Sequence, residues 1–206
     1  MSALLVAWPL VGRSCLCVGT GSALAHRIHQ LLDAGAHVLL VSREPEHDPH
    51  PRLRLIDRAF EPAQLDGQAL AFVAGVAPEE AVAIAEAARA AGVPVNVTDV
   101  PRLCDFYMPA VHVDGPLVVA VSTSGQAPGL AGKIRSLLAS ALPPAAGRAV
   151  ERFGALRRAL REATPGDTTR RIGWLARFGT EHDLDDIAAL DDAAIAELVR
   201  SYGAKA

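Results

Sequence analysis

The sequence has few cysteines: only Cys15, Cys17 and Cys104 occur among 206 residues. Three thiols do not make a disulfide framework, and they lack the paired C-x2-C spacing of a structural zinc site. No cluster of histidine and cysteine at ligand spacing occurs elsewhere, so we predict no metal site built by the protein itself. This cysteine usage favours a reducing, cytoplasmic location.

Long apolar runs and aromatic residues are also scarce. Pro9, Gly12 and Arg13 interrupt the apolar N-terminal stretch, and no positively charged segment precedes it, which disfavours both a secretion signal and a membrane span. Aromatic residues make up 4% of the chain, and no recognised nucleic-acid motif accompanies its arginines. Nucleic acid is therefore not the partner we expect.

Short apolar runs alternate with alanine-rich helical patterns over the first part of the chain. The alternation predicts an α/β fold in which repeated β-α units build a doubly wound parallel sheet, buried on both faces. Two of the helical patterns end at Gly35 and Gly92, the residue type that commonly follows a helix. The predicted strands are Ser14–Val18, His37–Val41, Leu53–Asp57, Ala69–Ala74, Val95–Thr98 and Leu117–Ser122, and the predicted helices are Ser22–Ala34 and Glu79–Ala91.

Beyond Pro128 the sequence consists of helix formers without strand signals. Two segments rich in proline and glycine, "LPPAAG" and "TPGD", mark loops between helices. We therefore expect an all-helical C-terminal extension. Its predicted helices are Leu130–Ala141, Ala149–Ala163, Thr168–Phe178 and Asp191–Tyr202.

Positive charge is concentrated in this extension. The segment from Lys133 to Arg177 holds ten of the twenty Lys and Arg residues and three acids, a local charge of +7 in a chain whose net charge is -3. Such a patch is suited to an anionic partner, here a small polyanion. The alternative is that these arginines lie on solvated helix faces and pair with carboxylates of the protein.

A glycine loop follows the first predicted strand. Gly19-Thr20-Gly21 would form the tight turn of a dinucleotide site, with the helix N-terminus behind it to meet a pyrophosphate. The third small position of the fingerprint is Leu24, which we expect to push the helix away from the strand or to shift its start. At the end of the second strand Ser42, Arg43 and Glu44 are available: Glu44 would suit ribose hydroxyls, whereas Arg43 would suit a 2′-phosphate.

Polar residues also follow two later strands. Asp99 comes directly after the strand ending at Thr98, where ligands of such sheets bind. Ser122-Thr123-Ser124-Gly125 follows the last strand and precedes Pro128 at a helix start, so hydroxyls and free N–H groups would together suit an anion. We expect Asp99 and this loop to face one cleft, although each alone is also typical of a turn or a helix cap.

With these residues in view, the sequence resembles the N-terminal module of siroheme synthase, which also occurs alone as precorrin-2 dehydrogenase/sirohydrochlorin ferrochelatase. The resemblance depends on "VGTG", "LLDAGAHVLLV", "NVTDVPRLCDFYMPA" and "LVVAVSTSGQAPGLAGKIR". It implies a Rossmann-like NAD-binding domain at 1–112, a dimerisation segment at 113–146 and a helical domain at 147–206, in a homodimer. The implied activity is NAD-dependent oxidation of precorrin-2 to sirohydrochlorin, with insertion of ferrous iron in many members.

The resemblance also implies roles for individual residues. Asp99 would be the catalytic aspartate that transfers protons. The residues that would contact NAD are Gly19, Thr20, Gly21, Ser22, Ala23, Ser42, Arg43, Glu44, Gly75 and Val76. The residues that would contact the anionic tetrapyrrole are Asn96, Ser122, Thr123, Ser124, Gly125 and Lys133.

Three positions depart from the family pattern. Leu24 and Arg27 stand where a smaller residue and a lysine are common, and "AGVAPEE" after the fourth strand lacks the usual Thr or Asn. These departures leave two alternatives to the NAD-dependent enzyme. One is a chelatase or tetrapyrrole-binding protein with a degenerate nucleotide site, and the other is a non-catalytic module that senses NAD or binds another protein.

Overall fold

Five parallel strands form one sheet in the first part of the chain. This is a computed structural model that describes residues 4–43 and 47–204, and it places the strands in the order β3-β2-β1-β4-β5. The strands are β1 (Ser14–Gly19), β2 (His37–Ser42), β3 (Leu53–Asp57), β4 (Gln68–Ala74) and β5 (Val95–Val97). The strand order reverses beside β1, which is the Rossmann-like, doubly wound arrangement, so the predicted fold class is confirmed.

The helices of this first unit, Met1–Met108, cover the two faces of the sheet. Helix α1 (Ser22–Asp33) joins β1 to β2, and α2 (Pro78–Ala90) joins β4 to β5. Side chains of β1 alternate between the faces: Cys15 and Cys17 pack in the cluster that contains α1, while Leu16 and Val18 pack in the cluster that contains α2. All four are buried. The run is apolar throughout because both sides of the strand are core.

Three free thiols lie in this unit. Cys15 and Cys17 are fully buried, and Cys104 is partly buried. Burial raises the pKa of Cys15 to about 11, although a hydrogen bond with the Leu70 backbone opposes the shift. Burial also raises the pKa of Cys17, further than that of Cys15. Both thiols are therefore held in the neutral, unreactive form.

The second unit, Pro109–Ala206, begins with an antiparallel hairpin. Strand β6 (Ala110–Asp114) pairs with β7 (Leu117–Val121), and α3 (Pro128–Ala141) packs against both. The expectation that Leu117–Ser122 neighbours the parallel strands was wrong, and β6 was not predicted. Only Gly115 and Pro116 connect the two strands, and so short a connection permits antiparallel pairing but no parallel crossover.

Four helices complete the second unit. They are α4 (Ala146–Ala163), α5 (Thr168–Glu181), α6 (Leu184–Ala188) and α7 (Asp192–Ala204). Leu156, Leu160, Phe178 and Tyr202 belong to their shared core. The described residues after Val121 contain no strand, which confirms the predicted helical extension; α6 alone was not predicted.

No helix within residues 4–43 and 47–204 combines the length and the apolar character that a membrane crossing requires.

Candidate functional site: a dinucleotide groove at the strand ends

The turn after β1 is shaped by close contact with the end of β4. The Thr20 N–H donates to the Ala74 carbonyl at 3.0 Å. Gly19 has φ of 109°, and a Cβ there would overlap the Ala74 carbonyl oxygen. Gly19 is therefore required both for its conformation and for this close approach.

Helix α1 begins immediately behind this turn, at Ser22 as predicted. Its N-cap is Gly21 with φ of 95°, no side chain caps the helix, and the first hydrogen bond runs from the Ala25 N–H to the Gly21 carbonyl. The N–H groups of Ser22 and Ala23 precede that bond and are available to an anion. A Cβ at Gly21 would meet no atom of the described residues within 4 Å, so nothing described fills the space beside this residue. These groups fit a pyrophosphate.

A groove of about 470 Å³, open to solvent, runs along the adjacent strand ends. Of the predicted NAD contacts, the groove is lined by Gly19, Thr20, Ser42, Arg43, Gly75 and Val76. Gly21, Ser22 and Ala23 lie at the start of α1 and do not line it. Glu44 lies outside the described residues.

Other residues that line the groove were not predicted. They are Val18, Val41, Arg58, Ala59, Phe60, Ala77 and Glu80. Arg58, Ala59 and Phe60 follow β3, which is adjacent to β2. The rule that ligands bind at the carboxyl ends of parallel strands was a signal that could have identified them. Val76 and Ala77 line the groove after β4, and neither side chain carries a hydroxyl or an amide.

Leu24 is accommodated without a shift of the helix start. Its side chain is 3% exposed and packs in the core cluster with Cys17 and Phe72. The Arg27 guanidinium lies 5.3 Å from the ring centre of Phe72, and burial lowers the pKa of Arg27. Both unusual residues are thus part of the packing between α1 and the sheet, and neither lines the groove.

Asp99 lies in the turn after β5 in a strained conformation. Its φ is 61°, in the left-handed region that few residues other than glycine adopt, although Asp tolerates it better than most. The side chain is exposed and, within the part of the chain described, its carboxylate has no hydrogen bond or ion pair. Non-glycine residues held in this conformation cluster at functional sites. The geometry leaves Asp99 available for proton transfer.

The residues around Asp99 hold this turn against the outer edge of β5. The Val95 N–H donates to the Asp105 carboxylate at 3.0 Å, and the Val97 N–H donates to Cys104 Sγ at 3.3 Å. The Asn96 amide donates to the Phe106 carbonyl at 2.9 Å. Asn96 therefore fixes the segment that follows the turn, and its predicted contact with substrate stays a prediction.

The hydroxyl loop before α3 is organised by its own side chains. The Ser122 hydroxyl accepts the Ser124 N–H at 3.2 Å, and the Thr123 hydroxyl accepts the Ala127 N–H at 3.1 Å. Ser124 and Gly125 have φ of 52° and 77°. The structure thus shows the turn alternative for Ser122 and Thr123, whereas the N-cap of α3 is Ala127 and no side chain caps this helix. Contact of this loop, and of the exposed Lys133 on α3, with a tetrapyrrole stays a prediction, as does a cleft shared with Asp99.

Several arginines of the basic segment are bonded within the protein. Arg152 pairs with Asp192 at 2.6 Å, Arg148 donates to the Ala188 carbonyl at 3.0 Å, and Arg171 donates to the Thr164 carbonyl at 2.5 Å. In the described part of the second unit, the following cations have no carboxylate within 4 Å: Lys133, Arg135, Arg148, Arg157, Arg158, Arg161 and Arg171. Part of the local charge is therefore structural, and the rest is available to an anion.

Metal-ligating side chains do not gather in the described ranges. No group of three or more His, Cys, Asp or Glu residues in 4–43 and 47–204 is placed to hold an ion.

Comparison with known proteins identifies the family. Three sequence families match consecutive parts of the chain: NAD(P)-binding at residues 6–110, sirohaem biosynthesis protein central at 114–141, and sirohaem biosynthesis protein C-terminal at 143–206. The siroheme biosynthesis protein met8 of Schizosaccharomyces pombe is 32% identical, over 98% of this chain and 80% of that protein. The chain belongs to the siroheme biosynthesis family. The resemblance inferred from the sequence is thereby confirmed.

Other relatives show how much of the family's longer members the chain spans. The siroheme synthase of Methylobacillus flagellatus is 36% identical over 84% of this chain, but the match spans only 38% of that enzyme. The solved structure of SirC, a precorrin-2 dehydrogenase, superposes with a TM-score of 0.68 at 20% identity, covering 97% of this chain and 98% of that one. At this identity the superposition establishes the fold.

Proposed function

We propose that this protein oxidises precorrin-2 to sirohydrochlorin with NAD as the hydride acceptor. The observation that carries the proposal is the Gly19–Gly21 turn, with the open N-terminus of α1 behind it, in a chain of the siroheme biosynthesis family. The S. pombe relative is named for siroheme biosynthesis, and the structural neighbour is named a precorrin-2 dehydrogenase.

The proposed roles divide between the two units. The N–H groups of Ser22 and Ala23 would bind the pyrophosphate, and the groove beside Thr20 and Gly75 would hold the rest of the dinucleotide. Bound NAD supplies the acceptor for a hydride from the substrate. Asp99 would accept the proton, so precorrin-2 and NAD give sirohydrochlorin, NADH and a proton. The unpaired cations Arg157, Arg158 and Arg161, with Lys133, would attract the carboxylates of the tetrapyrrole.

The direct experiment mixes purified protein with precorrin-2 and follows the absorbance of sirohydrochlorin and NADH together. We expect both to appear only when NAD or NADP is present. Tetrapyrrole binding without any effect of either nucleotide would favour the alternative of a chelatase or carrier. Absence of tetrapyrrole binding would leave the non-catalytic alternative.

The role of Asp99 is tested with Asp99→Asn. Asn tolerates positive φ, so the turn should be kept while the proton acceptor is lost. We expect kcat to fall about 10²-fold or more and KM to stay within a few-fold of its wild-type value. The reason is that positioned acid-base groups contribute a factor of about 10²–10⁴ to the rate. Asp66→Asn, which removes an exposed carboxylate elsewhere, is the control. Full activity of Asp99→Asn would remove this carboxylate from the mechanism.

Insertion of ferrous iron is a second candidate activity, and the free carboxylate of Asp99 favours it. The group is exposed at a strand end and has no partner in the described structure, so it can take the pyrrole protons released as a metal enters the macrocycle. Supplying sirohydrochlorin and ferrous iron without nucleotide tests it. Siroheme formation above the rate without protein, lost in Asp99→Asn, is the expected result; an unchanged rate would exclude the activity.

We also propose that the protein is a homodimer in the cytoplasm. The segment from β6 to α3 exposes several large apolar side chains, including the cross-strand pair Val113 and Val118 at 62% and 57% and Leu137 at 62%. Only Ala131 of α3 is buried. An apolar surface of this kind on one segment suits a second copy of the same chain. The three free thiols support a reducing compartment.

A further inference from the structure

Two histidine rings of the first unit lie against each other. His29 is on α1, and His47 is in the segment between β2 and β3. Their ring centres are 4.8 Å apart, and the ring planes are inclined by 36°. Neither residue lines the dinucleotide groove. Because the two residues come from different elements, no ligand spacing in the sequence indicates this pair.

The hydrogen bonds of the two rings determine which nitrogen carries the proton. The His29 Nδ1–H donates to the Ala25 carbonyl at 2.8 Å. The His47 Nδ1–H donates to the Asp48 carbonyl at 3.0 Å. A carbonyl oxygen only accepts, so the proton is on Nδ1 in both rings, and Nε2 of the neutral imidazole has a free lone pair. Metal-binding histidines commonly have this arrangement, because the carbonyl partner of one nitrogen fixes the tautomer and orients the ring.

The Nε2 atom of His47 is buried, and within the described chain it has no hydrogen-bond partner. Most buried polar atoms in folded proteins have a partner, so an exception of this kind needs an explanation, and an ion is one. His29 is exposed, so an ion can reach the pair from solvent. A cation bound between the two rings would supply the partner of this atom.

The separation of the rings suits one shared ion. Zn–N bonds are about 2.0–2.1 Å long, so two imidazoles bound through Nε2 to one tetrahedral ion have ring centres about 5 Å apart. The separation of 4.8 Å between His29 and His47 is of this size. Imidazole nitrogen suits borderline divalent cations such as Zn²⁺, Ni²⁺ and Cu²⁺, whereas Mg²⁺ and Ca²⁺ prefer oxygen ligands.

We propose that His29 and His47 bind one borderline divalent cation, such as Zn²⁺, through their Nε2 atoms. Two protein ligands leave the remaining coordination positions of the ion to water. The bound ion would join α1 to the segment between β2 and β3. This site is separate from the proposed oxidation, and it revises the expectation from the sequence that the protein builds no metal site.

The test is calorimetric titration of the purified protein, without a polyhistidine tag, with ZnCl₂ and with MgCl₂ near neutral pH. We expect one Zn²⁺ per chain and no binding of Mg²⁺ at the same concentration. His29→Ala and His47→Ala should each weaken Zn²⁺ binding about tenfold or more, because even loss of an outer partner of a metal ligand costs about 10–100-fold. Zn²⁺ should also raise the Tm of the wild type more than that of either variant.

His182→Ala is the matched control. The His182 Nδ1–H also donates to a backbone carbonyl, that of Phe178, but in the described chain no second histidine ring lies against it. This variant should bind Zn²⁺ as the wild type does. His26 lies one turn before His29 on α1 and is also exposed. Loss of binding in His26→Ala with normal binding in His47→Ala would show a site on the helix alone and would overturn the inference.

Nuclear magnetic resonance of the histidine rings identifies the ligands directly. The Nε2 signals of His29 and His47 should move on addition of Zn²⁺, and the signals of His182 should not. Unchanged signals of both rings, wild-type affinity in both alanine variants, or no Zn²⁺ binding by the folded wild type would each overturn the inference. Circular dichroism verifies that the variants are folded. None of these outcomes bears on the oxidation, which is tested by dinucleotide and tetrapyrrole alone.

Discussion

The Thr20 hydroxyl donates to the Gly75 carbonyl oxygen at 3.4 Å, and a Cβ added to Gly75 would lie 2.5 Å from the Thr20 carbonyl oxygen. The turns after β1 and β4 are therefore in direct contact at the floor of the groove. Gly75 also has φ of 65°. Its lack of a side chain permits both the conformation and the contact.

Gly75→Ala should consequently lose more stability and more dinucleotide affinity than Gly67→Ala. Gly67 has a similar φ of 73°, but a Cβ there would meet no atom of the described chain within 4 Å, so it isolates the conformational cost, about 1 kcal/mol. We expect Gly67→Ala to lose about that much stability and to keep dinucleotide binding. Gly75→Ala should lose more stability than this and should bind the dinucleotide at least several-fold more weakly than the wild type does. Urea denaturation and calorimetric titration measure the two effects, and equal losses in both variants would contradict this account.

The start of α4 offers a second comparison between glycines. The Gly147 N–H donates to the Asp114 carboxylate at 2.8 Å, and a Cβ at Gly147 would overlap the Asp114 carbonyl and carboxylate oxygens. Gly147→Ala should destabilise the protein by about 1–3 kcal/mol because one of these groups must move. Gly173→Ala, in the open middle of α5, should instead stabilise it by up to about 1 kcal/mol. Opposite signs in thermal or chemical denaturation are the expected result.

The buried thiol of Cys15 predicts a loss of stability at alkaline pH. In the unfolded chain this thiol ionises near its ordinary value of 9.0, whereas burial raises the pKa in the folded state to about 11. Between pH 9 and 11 the folded state thus retains a proton that the unfolded state releases. The contribution of the buried thiol to the free energy of unfolding is therefore complete below pH 9 and falls as the pH rises towards 11. For a shift of this size the total loss is about 3 kcal/mol.

Comparison of the wild type with Cys15→Ala separates this effect from other alkaline titrations. The variant should be less stable than wild type at pH 7, because it loses buried volume, but its stability should fall less steeply between pH 9 and 11. Urea denaturation at several pH values gives both slopes. Parallel slopes for the two proteins would show that Cys15 ionises alike in the folded and unfolded chains.

The apolar segment from β6 to α3 predicts a change of oligomeric state on mutation. Leu137→Glu places a charge on the surface proposed to meet a second copy, and burial of an unpaired charge is costly. We expect it to shift the protein from dimer to monomer in light scattering at micromolar concentration. Ile172→Glu is the control, since Ile172 on α5 is also 62% exposed but lies outside the segment. A monomeric wild type, or a variant that remains dimeric, would count against the proposal.

Local patterns were sufficient to predict the first sheet and the turn at Gly19–Gly21. Strand periodicity and helix-ending glycines depend on neighbours in sequence, so β1, α1 and β2 were placed almost residue for residue. The lining by Arg58 and Phe60 was not predicted, because it depends on β3 lying beside β2 in the sheet. The strand-end rule could have identified these residues, but only once β3 is placed beside β2, and no motif between the two strands gives that order.

Two other expectations differ from the structure for physical reasons. Leu24 was expected to displace α1, but the sheet face beneath it has room, and the leucine became part of the core. The apolar run predicts another parallel strand at Leu117–Ser122, yet its partner β6 is a five-residue segment joined to it by a two-residue turn. Pairing of so short a segment is decided by the turn, which a count of apolar residues does not detect.

The segment after Asp99 affects how readily the protein aggregates in concentrated solution, because it covers the outer edge of β5. Outer strands of open sheets expose backbone groups to which a strand of another molecule can add, and this is a common start of aggregation. On β5 those groups are already bonded by Asp105 and Cys104 of the same chain. Intermolecular strand addition is therefore blocked at that side of the sheet, and β3 is the side at which self-association of partly unfolded chains would begin.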